Sequence, residues 1–96
     1  MQPMIDKPWF LYVVKCSDNS YYTGVTTDIR RRLREHNTTN RGSKYTKTRR
    51  PVNLVYSVVY DSQSEAQKAE YSFKQLTRSQ KESIIQDIES IMHDRL

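Results

Sequence analysis

Trp9-Phe10-Leu11-Tyr12-Val13-Val14 is an unbroken run of apolar, aromatic and β-branched residues, which reads as a strand buried on both faces. Ser17-Asp18-Asn19-Ser20 is turn chemistry. Tyr21 to Thr26 reads as a second strand, so the two segments form a hairpin. Asp28 then caps a helix running to about Asn37. Thr38 to Pro51 is a polar, basic loop with Gly42 inside it, and Leu54 to Tyr60 is a third strand. Ser62-x-x-Glu65 is a capping box that opens a second helix, to about Leu76. Ser79-x-x-Glu82 opens a third, with Ile84, Ile85, Ile88, Ile91 and Met92 on one face. The order β-β-α-β-α-α predicts an α+β fold, a small three-stranded antiparallel sheet flanked by three helices. Ninety-six residues leave no room for two cores, so residues 1–8 are assigned to an N-terminal tail and 9–96 to a single domain.

Several function classes fall away. No apolar run approaches the roughly 20 residues that span a bilayer, and Met1–Lys7 lacks the apolar centre of a signal peptide. Cys16 is the single cysteine. It has no partner for an internal disulfide, and a reducing cytoplasm is the expected compartment. A metal site built on cysteine clusters is excluded, so any metal must be held by oxygen or by His36 and His93.

Charge is concentrated. The net charge is +5, yet Arg30, Arg31, Arg32, Arg34, Arg41, Lys44, Lys47, Arg49 and Arg50 face a single acid, Glu35, within 21 residues. That segment carries about +8, the electrostatic footprint of a polyanion partner. It has no long apolar face to insert into a membrane. A solvated basic face is the bland alternative.

Two helices carry an oddity. At about 100° per residue, Ile29 and Leu33 mark the apolar side of the first helix. Arg32 and His36 fall in the same arc, while Arg30, Arg31 and Arg34 point elsewhere. On the second helix Ala66, Ala69, Phe73 and Leu76 face the core, with Glu70 among them. Charged groups facing inward are costly unless paired or metal-bound, and an Arg–Glu ion pair at the core edge would satisfy them. Tyr12 and Tyr22 on adjacent strands extend the set. Two tyrosines, an arginine, a histidine and a glutamate are together what phosphodiester hydrolysis requires: a base for water, a cation for developing charge, and a carboxylate to hold a metal. Tyr56 and Tyr60 read as ordinary half-buried strand tyrosines. Tyr12 and Tyr22 share a site only if they point to one sheet face. A three-residue loop at Asp18–Ser20, pairing Ser17 with Tyr21, achieves this, as does an even loop with one bulge.

Phe10-Leu11-Tyr12 and Tyr22-Thr23-Gly24, Arg32-x-x-x-His36, and Glu70 followed by Lys74 together resemble the GIY-YIG nuclease superfamily, in particular its small single-domain bacterial members. The resemblance covers roughly residues 9 to 81. It departs at Phe10, where the family has glycine, and at Thr23, where it has isoleucine. Many members carry an asparagine after the glutamate helix, and no asparagine follows Asn53 here. The resemblance implies a metal-dependent endonuclease acting on nucleic acid, with DNA the expected polymer. It implies Mg²⁺ (or Mn²⁺) on Glu70, and Tyr12, Tyr22, Arg32, His36 and Glu70 as catalytic residues, with either tyrosine open as the base. Arg30, Arg31, Arg34, Arg41, Lys44, Lys47, Arg49, Arg50 and Lys74 are the expected nucleic-acid contacts. Two other readings stand beside it. One is a nucleic-acid-binding module with weak or absent catalysis. The other is an interaction protein that docks through exposed aromatics and its third helix.

Overall fold

The computed structural model describes residues 7–94, with the side chains of the last helix described through Asp87. The elements are β1 (Trp9–Lys15), β2 (Tyr21–Thr26), α1 (Ile29–Thr38), α2 (Lys44–Lys47), β3 (Asn53–Tyr60), α3 (Gln63–Lys74) and α4 (Arg78–Asp94). The sheet is antiparallel in the order β2-β1-β3, an α+β fold. The run Trp9–Val14 is thus the central strand, and residues 11–14 are buried.

The two faces of β1 are covered by different helices. Leu11 and Val13 pack with Phe73 and Ile85, joined by Val55, Tyr56, Tyr60, Ala69, Leu76 and Ile84. Tyr12, Val14 and Cys16 pack with Val52, joined by Tyr22, Ile29 and Leu33. Period-two alternation along the strand produces this division. Ile88, Ile91 and Met92, expected on the same face of the last helix, lie outside the described side chains.

The hairpin turn differs in register from expectation. Lys15 pairs with Tyr21, the Cys16 amide donates to the Ser20 carbonyl, and the three turn residues are Ser17–Asn19. The loop has three residues as expected but begins one position earlier. Asn19 takes the left-handed backbone conformation, φ 70°, which Asn tolerates better than most residues. Asp18 accepts from the Ser20 amide and hydroxyl. The one-position displacement applies to both arms, so facing parity is unchanged: Tyr12 sits opposite Gly24, and Val14 opposite Tyr22. Both tyrosines therefore lie on one face.

Two further differences have local causes. The segment from Thr38 to Pro51 is not all loop, because Ser43 caps a single helical turn by accepting from the Thr46 amide. The last helix starts at Arg78 instead of after Ser79. Its capping box is Thr77-x-x-Gln80: the Thr77 hydroxyl accepts from the Gln80 amide, and the Gln80 carboxamide oxygen accepts from the Thr77 amide. Asn37 clamps the start of β3, donating to the Val52 carbonyl and accepting from its amide. No helix among the described residues is long and apolar enough to cross a membrane.

Candidate active site

The site begins with Tyr12 and its cross-strand partner. A Cβ built on Gly24 would stand 2.6 Å from the Tyr12 hydroxyl oxygen and 2.8 Å from its Cζ. Glycine is required there because the phenol lies directly over its Cα. The aromatic ring thus crosses β2 and delivers its hydroxyl to α1.

There it meets His36, fully buried on the inner face of α1. The Tyr12 hydroxyl and His36 Nε2 are 2.7 Å apart. On the other side of the imidazole, Nδ1 lies 2.9 Å from the Thr46 hydroxyl. Thr46 comes from α2, which is seated on α1 through Gly42. A Cβ at Gly42 would meet the Glu35 carbonyl oxygen at 2.8 Å and the His36 Cα at 2.9 Å. The Tyr22 ring completes the enclosure, 5.3 Å from the imidazole edge-on and 6.0 Å from Tyr45, on which it stacks. Every buried side-chain polar atom among the described residues has a hydrogen-bond partner.

Arg32, one turn before His36, is half-buried. Its Nη1 donates to Glu35 Oε1 at 3.0 Å and to the Arg41 carbonyl at 2.7 Å. The pair between Arg32 and Glu70 that the helix geometry allowed is not the one formed: Arg32 pairs with Glu35 inside α1. Glu70 pairs instead with Lys74 on its own helix at 3.2 Å, with 23% of its side chain exposed. The charge of Glu70 acts on the Tyr12 hydroxyl, as the smallest of the influences on it.

The electrostatics follow from this enclosure. Burial pushes the Tyr12 phenol up to about 12, with Tyr22 and Glu70 adding to the rise and Arg32 opposing it. Burial pushes His36 down to about 4, helped by the positive charges of Arg32 and Arg50 and opposed by Glu35. Arg32 is held above its usual value by the Tyr12 hydroxyl and Glu35, against the effect of its own burial. At neutral pH the site therefore holds a neutral phenol, a neutral imidazole and a guanidinium. Beside it a cleft of about 240 Å³ is lined by Tyr21, Tyr22, Thr23, Tyr45, Lys74 and Lys81.

The basic segment divides. Arg30, Arg31, Arg34, Arg41, Lys44 and Lys47 are exposed. Arg49 is engaged by Asp18 at 3.0 Å and lies 3.8 Å over the Tyr45 ring. Arg50 donates to the carbonyls of His36 and Thr39, closing the end of α1. Arg49 and Arg50 are thus already bonded within the fold, and Lys74 is paired with Glu70.

A hairpin carrying two tyrosines over a helix with Arg32 and His36, and a glutamate on the next long helix, is matched by a known family. The GIY-YIG catalytic domain family matches residues 8–83. The chain belongs to the GIY-YIG nuclease family. Among its relatives, the UPF0213 protein DP2720 of Desulfotalea psychrophila is 47% identical over 85 residues, covering 88% of this chain and 77% of the relative. The UPF0213 protein YazA of Bacillus subtilis is 50% identical over 78 residues, covering 81% and 78%. The solution NMR structure of EF2693 from E. faecalis aligns with a TM-score of 0.60 at 44% identity, covering 88% of each chain. That of the UPF0213 protein BH0048 from Bacillus halodurans aligns at 0.54 and 39%, covering 82% of this chain and 83% of that one. Phe10–Tyr12 and Tyr22–Gly24, the stretches that resemble the family's two motifs, lie within the matched range, and the close approach of Tyr12 accounts for Gly24.

Sequence reasoning missed Thr46, Ser43 and Tyr45. The signal was present as Ser43-x-x-Thr46, a cap spacing, but it lay in a segment read as loop because of its basic, polar composition.

Proposed function

We infer that this chain hydrolyses phosphodiester bonds in nucleic acid, DNA being the expected polymer, and does so in the cytoplasm, where Cys16 stays a buried free thiol. The observation that carries the reading is the 2.7 Å contact between the Tyr12 hydroxyl and a neutral, buried His36, with Arg32 alongside. Such a pair, screened from the neighbouring cleft by Tyr22, can receive a proton from a water admitted to it.

The donor set bears on the metal. Among the described residues no three His, Cys, Asp or Glu side chains gather into a cluster, which argues against zinc. Glu70 is a single half-buried carboxylate, and this fits a hard ion such as Mg²⁺ or Mn²⁺ that keeps most of its waters. Glu70 would hold it, once released by Lys74, and the ion would supply Lewis-acid polarisation of a phosphoryl oxygen. The remaining chemistry belongs to the chain. Arg32, with Nη1 fixed by Glu35 and the Arg41 carbonyl, turns the rest of its guanidinium toward the Tyr12 hydroxyl and the scissile phosphate. Tyr12 stays protonated in the resting site, because its phenol titrates near 12. It acts as a hydrogen-bonded pair with His36: the phenol takes a proton from water while passing its own toward Nε2. Tyr22 walls the imidazole against solvent. The exposed cations Arg30, Arg31, Arg34, Arg41, Lys44 and Lys47 hold flanking phosphates without reading sequence.

A second reading, a binding module with weak or no catalysis, is favoured by the Glu70–Lys74 pair, which neutralises the carboxylate proposed to hold the metal. One experiment separates the two. Wild type and Glu70→Gln are incubated with labelled DNA and RNA of several structures, with Mg²⁺, Mn²⁺ or a chelator. Metal-dependent cleavage by wild type and none by Glu70→Gln is expected. The variant's melting temperature should be nearly unchanged, since a partly exposed helical ion pair contributes only about 0.3–0.5 kcal/mol. Binding without cleavage under every condition would establish the binding module instead.

A further inference from the structure

We propose that Thr46 is a positioning residue for this site: its hydroxyl fixes the proton of His36 on Nδ1, so that the Nε2 lone pair faces the Tyr12 hydroxyl. The proposal rests on the hydrolytic reading only for its consequence in turnover; the tautomer itself is a property of the resting protein.

Counting donors and acceptors leads to this assignment. The Tyr12 hydroxyl is buried, and its proton needs an acceptor. The Arg32 guanidinium beside it only donates, so His36 Nε2, at 2.7 Å, is the acceptor available. Nε2 must then be unprotonated, and in a neutral imidazole the proton sits on Nδ1. There it meets Thr46 Oγ1 at 2.9 Å. The Thr46 hydroxyl can receive it, because its own proton goes to the Ser43 carbonyl at 3.1 Å. The Ser43 hydroxyl, 2.9 Å away, can fill the second lone pair of Thr46.

One contact points the other way. The Ser43 amide approaches Nδ1 at 3.4 Å, which would make Nδ1 an acceptor. That geometry is at the outer limit for a hydrogen bond, and the tautomer it favours leaves the buried phenol proton of Tyr12 without an acceptor. The shorter, fully paired arrangement prevails.

The surroundings leave the choice to Thr46. The charged and titratable groups around the imidazole are Tyr12 from β1, Tyr22 from β2, Arg32 and Glu35 from α1, and Arg50 ahead of β3. None of the charged groups bonds to Nδ1. Thr46 reaches the ring because Gly42 lets the chain lie against α1 and Ser43 caps the turn that carries it. A residue that fixes the tautomer of a catalytic histidine acts through it without touching substrate.

The test uses the full chain. In ¹⁵N-histidine-labelled protein, long-range ¹H–¹⁵N correlation reads the protonation of each ring nitrogen, with His93→Gln assigning the second histidine. Wild type should show His36 protonated on Nδ1. Thr46→Val should shift His36 toward the Nε2 tautomer or a mixture, and Thr46→Ser should restore the wild-type pattern. Thermal melts of both variants identify any loss of folding, and Thr46→Ser keeps the test informative if Thr46→Val folds poorly. On a substrate cleaved by wild type, kcat of Thr46→Val should fall about ten- to a hundredfold, as for other groups that orient a functional histidine, with KM unchanged. A wild-type His36 protonated on Nε2, or a Thr46→Val spectrum identical to wild type, overturns the proposal. Absence of cleavage by wild type overturns the hydrolytic reading alone, and the spectra still decide the tautomer.

Discussion

On one face of the sheet Leu11 and Val13 meet Phe73 and Ile85, with Thr23 buried opposite Val13. On the other face Tyr12 and Val14 meet α1, and among them lie a fully buried histidine and a fully buried threonine. The same central strand feeds both. Apolar packing is non-directional and tolerates small shifts, whereas the polar face must match each donor to an acceptor or lose the cost of an unmet group. The first face is built to hold the sheet together. The second spends burial on holding Tyr12 and His36 in one arrangement next to the cleft.

That division predicts which substitutions separate folding from chemistry. The largest effect should come from Phe73→Ala. Phe73 is buried and stacks on Tyr56 with ring centroids 5.7 Å apart. Its removal should cost about 3–5 kcal/mol, which for a domain of this size lowers the melting temperature by roughly 12 °C or more. At a temperature where the variant remains folded, turnover per folded molecule should match wild type. A loss of less than about 1 kcal/mol in denaturant unfolding, or a turnover that falls with it, would break the comparison.

The next effect belongs to the polar face and depends on pH. Folding lowers the His36 pKa from 6.5 to about 4. Between those values the unfolded chain binds a proton that the folded one refuses. Stability from a neutral buried imidazole is therefore fully present above pH 6.5 and is lost as pH falls toward 4, by about 3 kcal/mol at most. Urea unfolding of wild type at a series of pH values should show this slope, and His36→Gln should show much less of it. Equal slopes in the two proteins would mean that the acid sensitivity lies in the carboxylates and that the polar face is not proton-linked.

The sequence made one of these faces far easier to read than the other. Period-two alternation and capping spacings report backbone geometry, so β1 to β3, the caps at Asp28 and Ser62, and the inward turn of His36 were all legible. The shared face of Tyr12 and Tyr22 was legible as well, because facing depends only on parity, and the turn could begin one residue early without changing it. The support of the site was not. Thr46 acts by a hydrogen bond across ten residues of chain, in a stretch whose basic composition matched a solvated loop. Arg50, counted among phosphate contacts on charge alone, turns inward to the carbonyls that end α1. Charge counts do not reveal where a long side chain points, and a single helical turn leaves little periodicity to detect. The cap at Thr77 was overlooked because Ser79-x-x-Glu82 offered the same spacing two residues later.

The smallest effect on stability should come from the outer margin of the polar face, where the exposed and inward-turned cations can be told apart. Lys44 and Lys47 flank Thr46 on α2 and are exposed, so replacing both with Gln removes two charges without touching the Thr46 hydroxyl or the Ser43 cap. Surface changes of this kind move stability by less than about 0.5 kcal/mol. Their effect on duplex binding should nonetheless be large and of a defined form. Each phosphate contact contributes about 0.9 to the slope of log affinity against log salt, so the double variant should flatten the slope by about 1.8. Arg49 and Arg50 are unsuitable for this measurement, because the bonds they make to Asp18 and to the end of α1 would be lost at the same time. Fluorescence anisotropy of a labelled duplex at several salt concentrations, with a melting curve for each protein, gives both quantities. An unchanged slope with an unchanged melting temperature would assign Lys44 and Lys47 to solvent. The nucleic-acid path would then have to run along the other exposed cations, Arg30, Arg31, Arg34 and Arg41.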